Sequence, residues 1–183
     1  YNRKRIQKEV LRMELTLKER LFLANQYETL IKSSDGNDIE FYKKSLEIVK
    51  KGFTSYYDNL FSGISEKELS KDDCKLVENI LELYSDLKFA REYSSEISSV
   101  FSEKDIKFKG FDGHLTENYA EYAEFLVLKE KRWKEFENTI ENLDSHGASP
   151  DLDGLKSMVK KWEKINKSYD KLTVEDINEI LGR

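Results

Sequence analysis

The chain has 183 residues, of which 31 are basic and 36 are acidic, and its net charge is -5. A single cysteine excludes an intramolecular disulfide framework, and one proline with 8 glycines excludes collagen-like and turn-rich all-β proteins. An aromatic content of 12% is too high for a disordered polyelectrolyte, and the small negative charge argues against a protein that coats nucleic acid. We expect a soluble all-α protein, placed in the cytoplasm because the sequence shows neither a membrane-spanning run nor a secretory signal.

We predict three segments along the chain. Residues 1–12 form a basic N-terminal extension, residues 13–62 a helical hairpin region, and residues 63–183 a larger helical domain, although one compact unit is also possible. The expected architecture is therefore a helical hairpin packed on or joined to a larger multi-helix domain. No sequence period of 20–50 residues repeats, which argues against a solenoid.

The two helices of the hairpin are predicted from their ends. Thr16 and Glu19 have the spacing of a capping box, which predicts that a helix begins there and ends at the polar turn 33–37. Asp38 is expected to cap the second helix, and Gly52 to end it, because glycine readily adopts the left-handed conformation found after helix C-termini.

Three further helices are predicted in the larger domain. Ser70 and Asp73 have the spacing of a helix start and precede a long helical stretch. Residues 152–165 have the apolar period of an amphipathic helix. Thr173 with Asp176 caps a last helix near the end of the chain.

A regular apolar seam predicts one long helix between Leu115 and Leu143. Its members follow each other at steps of four and three residues, as in a heptad repeat, with Lys129 as the one charged intruder. A helix of roughly 29 residues is about 43 Å long and needs a partner helix, either within the chain or in a second copy. The members are Leu115, Tyr119, Tyr122, Leu126, Lys129, Trp133, Phe136, Ile140 and Leu143.

Arg20 stands out because it falls within the apolar half of the first helix. A guanidinium in that position must reach water along its stem or bind a carboxylate, since an unpaired buried charge is costly. Asp112 is the carboxylate we expect it to pair with, because this residue lies in a turn flanked by glycines. The alternative is that Asp112 only caps the next helix.

The first helix also carries a second face without charges, formed by Phe22, Asn25, Gln26 and Thr29. A polar face without charges is unusual for a surface that meets only solvent. Two interpretations remain open. The helix is buried on both sides, or these four residues form an interaction surface.

A basic stripe lies on the amphipathic helix near the C-terminus and consists of Lys156, Lys160, Lys164 and Lys167. Such a patch can bind phosphates of nucleic acid. Solvated helix faces often have the same composition, and acidic residues outnumber basic ones in the whole chain. Both interpretations of the patch remain open.

The sequence has no recognisable catalytic, cofactor or metal motif. The two histidines are His114 and His146, and neither belongs to a zinc or di-iron signature. Asp112 and His114 could supply two metal ligands, but a capping aspartate beside an exposed histidine explains the pair better. We therefore expect no catalytic residue, no cofactor and no metal, and favour a protein that is not an enzyme.

Several stretches together are distinctive: MELT at 13–16, ANQY at 24–27 and GFDG at 110–113, followed by Trp162 and residues 172–180. On these stretches the chain, from Met13 to its C-terminus, resembles the YfbU-like family of bacterial proteins. The resemblance implies an all-helical fold, a hairpin joined to a larger helical domain and a bacterial cytoplasmic setting. It implies no biochemical activity and supplies no catalytic residues.

The favoured function is a non-enzymatic helical interaction module that self-associates, with a homodimer as the expected state. The heptad seam, the uncharged face around Phe22 and the missing catalytic motif support this interpretation. The alternative is a regulator that binds nucleic acid through the basic N-terminus and the Lys156–Lys167 stripe. Salt dependence distinguishes the two, because phosphate binding weakens steeply with salt and apolar contacts do not.

Overall fold

In the computed structural model, residues 14–65, 68–111, 117–140 and 151–183 are described, and their regular secondary structure is entirely helical. No strand occurs among them, so the prediction of an all-α protein is confirmed. The chain divides into two compact units, Tyr1–Lys67 and Glu68–Arg183. The smaller unit contains the helical hairpin, and the larger unit contains the remaining long helices.

The smaller unit consists of helices α1 (Leu17–Ser33) and α2 (Asn37–Lys51), followed by a 3-10 turn and helix α3 (Tyr57–Leu60). Helix α1 begins as predicted, because the Thr16 hydroxyl accepts from the backbone of Glu19 and the Glu19 carboxylate accepts from the backbone of Thr16. The hairpin has only a small core of Ala24, Tyr27 and Val49, surrounded by half-buried apolar side chains.

Helix α2 begins differently from the prediction. Its N-cap is Gly36, which makes no side-chain cap hydrogen bond, and Asp38 lies inside the first turn. There the carboxylate is favoured by the positive end of the helix dipole and does not act as a cap. Gly52 ends the helix in the left-handed conformation, as expected.

The larger unit is built around α4 (Lys71–Tyr93), the longest helix in the part of the chain that the structure describes. The Ser70 hydroxyl caps it by accepting from the backbone N–H of Asp73, as predicted. Helix α4 buries side chains on several sides, because neighbouring helices pack around it. Helices α5 (Ser95–Val100), α6 (Glu103–Ile106), α7 (Glu117–Glu124) and α9 (Leu152–Ile165) pack against α4. Helix α10 (Val174–Leu181) packs against α9 and α5, and α8 (Glu137–Ile140) packs against the segments that precede it.

The single long helix predicted from the apolar seam is wrong. Helix α7 passes into one π-helical turn at Phe125–Lys129, and the helix then ends. Lys131 and Trp133 both adopt the left-handed conformation, with φ of 58° and 45°. A 3-10 turn, Lys134–Phe136, then leads into α8. The seam residues Leu115 and Leu143 lie outside the described residues.

Backbone and side-chain contacts stabilise this break in the helix. The backbone N–H of Arg132 donates to the Leu126 carbonyl at 3.1 Å, and the Trp133 indole N–H donates to Glu82 on α4 at 2.7 Å. The Arg132 guanidinium lies 4.2 Å from the centre of the Trp133 ring. A left-handed non-glycine residue costs roughly 1–2 kcal/mol, so contacts of this kind must offset two such residues. The described seam residues still pack into the core of the larger unit: Tyr119, Tyr122, Leu126, Trp133 and Phe136.

Carboxylates along α4 accept hydrogen bonds from aromatic side chains of neighbouring segments. The Tyr119 hydroxyl donates to Asp73 at 2.5 Å, and the Trp162 indole N–H donates to Asp86 at 2.9 Å. Hydrogen bonds from Ser70 and Tyr119 lower the pKa of Asp73. Burial raises the pKa of Asp86 by more than the Trp162 hydrogen bond lowers it. Each pair ties a surrounding segment to the central helix.

The short helix α6 carries a second kind of carboxylate site. Asp105 accepts from the hydroxyl and the backbone N–H of Ser102 and from the Arg183 guanidinium, which lies 2.8 Å away. These hydrogen bonds, that from the Ser102 hydroxyl first, hold the pKa of Asp105 at about 2. The carboxylate therefore stays ionised in the folded protein at pH values where an unfolded chain would begin to bind a proton.

We predict that Leu126→Ala lowers the free energy of unfolding by about 2–5 kcal/mol, because it removes a buried side chain from the core of the larger unit. Phe125→Ala is the matched control, since Phe125 lies in the same π-helical turn but is 48% exposed. Urea unfolding followed by circular dichroism measures both variants. Equal losses in the two would contradict the placement of Leu126 in the core.

We predict that Asp105→Asn lowers stability at pH 6 and that its difference from the parent protein shrinks as the pH falls. The sign follows from a folded pKa of about 2, which lies below the ordinary value of 3.8. Such a group stabilises the fold above pH 3.8 and loses this contribution as the pH falls towards 2. Asp35→Asn is the control, because Asp35 is an exposed loop residue. A pH-independent difference for Asp105→Asn would contradict the prediction.

Candidate functional site

Arg20 joins the two helices of the hairpin through backbone carbonyls. Its Nε donates to the Val49 carbonyl at 2.7 Å, and a terminal nitrogen donates to the Lys50 carbonyl at 2.8 Å. Both carbonyls belong to the last turn of α2, where the helix has no further backbone donors of its own. The guanidinium also places a positive charge at the negative end of the α2 dipole.

The predicted partner of Arg20 was a carboxylate, Asp112. Asp112 lies outside the described residues, so that pairing stays a prediction. The acceptors that the structure does give Arg20 are main-chain oxygens, and its side chain is half-buried between α1 and the end of α2.

Gly52 is required at the end of α2 for two reasons. Its φ is +73°, which favours glycine, and its backbone N–H donates to the Ile48 carbonyl at 2.9 Å. A Cβ at this position would lie only 3.1 Å from the guanidinium carbon of Arg20. Any larger residue would therefore force the Arg20 guanidinium to shift by a few tenths of an ångström from its present contacts.

Arg20 contacts α2, whereas other positions of α1 are left exposed. Leu17, Leu21 and Phe22 are 78%, 61% and 64% exposed. Phe22 was predicted to lie on the uncharged second face, whereas Leu17 and Leu21 were not among the predicted surface residues. Leu17 and Leu21 lie about 60° and 100° around the helix from Arg20, in the same direction. Because these positions adjoin the buried side of the helix, the helical period alone does not mark them as exposed.

The other predicted surface residues, Asn25, Gln26 and Thr29, are exposed as well. The Thr29 hydroxyl donates to the Asn25 carbonyl at 3.0 Å, so it is satisfied within the helix. We call the six exposed residues the α1 outer face. They are Leu17, Leu21, Phe22, Asn25, Gln26 and Thr29.

Charged residues are missing from the middle of the α1 outer face. The run from Leu21 to Tyr27 contains no charged residue. Lys18 lies on its N-terminal side, and Glu28 lies on its C-terminal side. Glu28 accepts from the Lys50 ammonium at 2.6 Å, and this ion pair lowers the pKa of Glu28.

Two of the four lysines in the basic stripe of the larger unit interact with carboxylates. Lys167 bonds to Asp176 with its two closest distances at 2.7 and 3.0 Å. Lys156 interacts electrostatically with Asp73 and helps to lower the pKa of that carboxyl, after the Ser70 and Tyr119 hydrogen bonds. Lys160 and Lys164 project from α9 as exposed side chains. Phosphate binding by these four lysines stays a prediction.

The described residues offer no metal site, since no group of three His, Cys, Asp or Glu side chains comes together among them. His114 and His146 lie outside the described residues. Cys74 is a free, half-buried thiol in the first turns of α4. Within the described ranges, no helix is both long and apolar enough to cross a membrane.

Comparison with known proteins identifies one family. The chain matches the model of the YfbU domain over residues 13–182. It is also 30% identical over 173 residues to a UPF0304 protein of Actinobacillus succinogenes and 31% identical over 173 residues to one of Mannheimia succiniciproducens. Each alignment covers 93% of this chain and 99% of the relative. The resemblance inferred from the MELT, ANQY and GFDG stretches is thereby confirmed.

We predict that Gly52→Ala destabilises the hairpin more than Gly182→Ala destabilises α10. Both glycines end helices with φ near +72°, so both variants lose about 1–2 kcal/mol from left-handed backbone strain. Only at Gly52 would the new methyl group also displace Arg20, because the nearest atom at Gly182 is the flexible Lys161 ammonium at 3.5 Å. Urea unfolding followed by circular dichroism measures each loss.

The Arg20→Ala background isolates this contribution. In that background the guanidinium is absent, and we expect the loss from Gly52→Ala to fall to the backbone strain alone. A loss that is the same with and without Arg20 would show that the two residues are not coupled.

Proposed function

The chain belongs to the YfbU family, and from this premise we propose that it is a non-enzymatic protein-interaction module. Its partner is a second copy of the same chain, and the contact surface is the α1 outer face. The product is a homodimer in which two α1 helices lie antiparallel across a two-fold axis.

The observation that carries this proposal is the exposure of three large apolar side chains on one helix. Leu17, Leu21 and Phe22 all keep more than half of their surface in contact with solvent. Burying apolar surface is favourable by about 25 cal/mol per Å², so these side chains gain free energy from any partner that covers them. Exposed apolar clusters bordered by polar residues are typical of protein-binding surfaces.

The charge pattern favours a second copy as the partner. In an antiparallel pair centred near the level of residue 23, Lys18 of one copy lies opposite Glu28 of the other. The two-fold axis creates this pairing twice, because each contact in a symmetric dimer is repeated. Between the two ion pairs only uncharged side chains meet, so no charge is buried without a partner.

The size of the surface determines how strong the dimer is. From Leu17 to Thr29 the helix rises about 18 Å, which makes its face smaller than the ~800 Å² per partner of a standard interface. Asn25 and Gln26 add polar side chains that can hydrogen-bond across the axis. We therefore expect a dimer that dissociates on dilution.

The cellular setting that we propose is the bacterial cytoplasm. Both relatives come from bacteria, and the one cysteine of the chain is a free thiol. A reducing compartment suits such a thiol.

Sedimentation equilibrium over a range of protein concentrations tests the proposal. We expect the parent protein to approach twice the chain mass as concentration rises, and Leu21→Glu to remain monomeric, because it places two like charges beside the axis. Val100→Glu is the matched control, since Val100 is 54% exposed on α5 of the larger unit. It should dimerise as the parent does.

Two further results would count against the proposal. A parent protein that stays monomeric at high concentration would overturn it, and so would dimerisation that Leu21→Glu leaves unchanged. Raising the salt concentration should weaken the dimer only slightly, because apolar contacts dominate the interface.

A further inference from the structure

A cavity of about 280 Å³ lies in the larger unit, between α4, α6 and the Lys134–Phe136 turn. Its floor is formed by aromatic side chains that pack against one another. The rings of Tyr84 and Phe108 are 5.0 Å apart, and those of Phe108 and Phe136 are 6.0 Å apart. All three side chains are buried, as is Ile106 beside them. The parts of these rings that line the cavity give it an aromatic floor.

The rim of the cavity is charged and balanced. Three cations and three carboxylates line it, which gives a net charge of zero. They come from α4, from α6 with the residue after it, and from the Lys134–Phe136 turn. They are Lys88, Arg91, Glu92, Glu103, Lys107 and Glu135.

Some of these charged groups already have an ion-pair or hydrogen-bond partner within the protein. The Lys88 ammonium lies 3.9 Å from the Glu92 carboxylate, and the Ser85 hydroxyl donates to Glu135. Arg91 uses its Nε to donate to the Phe101 carbonyl at 2.9 Å, which fixes the guanidinium in place. Its two terminal nitrogens make no hydrogen bond to any described residue.

Two rim residues have no such partner among the described residues. Lys107 and Glu103 are exposed, and within the described ranges neither has a hydrogen bond or ion pair. Together with the terminal nitrogens of Arg91, they leave one carboxylate and two cationic groups open around an aromatic floor.

We propose that this cavity binds a small zwitterion with a flat apolar side chain, an aromatic α-amino acid. The ring lies on Tyr84, Phe108 and Phe136, the ligand carboxylate is bound by Arg91 and Lys107, and the ligand ammonium is bound by Glu103. A balanced rim favours a ligand of zero net charge over a pure anion or a pure cation. The volume is just below the lower end of typical ligand pockets, at about 300 Å³, and so suits a small molecule.

This proposal is separate from self-association. The cavity lies in residues 84–136, and none of its lining residues belongs to the α1 outer face. A failed test of ligand binding therefore does not count against self-association, and a failed test of self-association does not count against ligand binding.

Isothermal titration calorimetry with three probes tests the ligand class. L-phenylalanine carries both charges, 3-phenylpropionate lacks the ammonium, and phenethylamine lacks the carboxylate. We expect L-phenylalanine to bind about tenfold or more tightly than either analogue, because each analogue leaves a charged group of the rim without its hydrogen-bonded partner.

Two rim variants test which residue recognises which group. Lys107→Gln should weaken L-phenylalanine and 3-phenylpropionate while leaving phenethylamine unchanged. Glu103→Gln should weaken L-phenylalanine and phenethylamine while leaving 3-phenylpropionate unchanged. Lys160→Gln, an exposed lysine on α9 outside the cavity, is the control and should change none of the three affinities. Both rim positions are exposed, so circular dichroism should show the fold unchanged.

Several outcomes would overturn the proposal. One is the absence of saturable binding of L-phenylalanine at millimolar concentration, and another is equal affinity for all three probes. Preferential binding of 3-phenylpropionate or of phenethylamine would replace a zwitterion with a singly charged ligand. Equal weakening of all three probes by both variants would show a general disturbance of the cavity and no recognition of separate groups.

Discussion

The larger unit depends on how the carboxylates of α4 are hydrogen-bonded. Neighbouring segments pack on several sides of this long helix, beside its acidic side chains. Four of these residues accept hydrogen bonds from aromatic O–H and N–H groups of those segments: Asp73 from Tyr119, Glu78 from Tyr122, Glu82 from Trp133 and Asp86 from Trp162. Each donor has a large ring that packs beside its own hydrogen bond. One side chain therefore provides apolar contacts and also a hydrogen bond to the carboxylate.

Helix starts could be predicted from the sequence because they depend on residues three positions apart. The caps at Thr16, Ser70 and Thr173 all occur as their spacing indicates. The prediction of one long helix from the apolar seam failed because the period shows which side chains share a face and does not show whether the backbone stays helical. The described apolar members from Tyr119 to Phe136 do pack into the core, but the left-handed Lys131 and Trp133 interrupt the helix without a glycine or proline to signal it.

The candidate sites, too, could be predicted from the sequence only in part. The need for a partner at Arg20 could be predicted from its apolar surroundings, whereas main-chain carbonyls as acceptors could not, because every residue carries one. The exposure of Phe22 on an uncharged helix face was open to prediction from the sequence. The cavity was not, since its floor and rim combine α4 with segments that follow it by ten residues or more, such as Lys107 and Glu135.

The indole hydrogen bonds to α4 have a spectroscopic consequence. Both tryptophans of the chain, Trp133 and Trp162, donate to α4 carboxylates, and both belong to the larger unit. Tryptophan emission therefore reports whether the segments around α4 remain docked, without any label. The hairpin contains only tyrosine and phenylalanine as aromatic residues, so it contributes no tryptophan emission of its own. Tryptophan emission therefore comes from the larger unit alone, whereas the intrinsic fluorescence of the hairpin comes from its tyrosines.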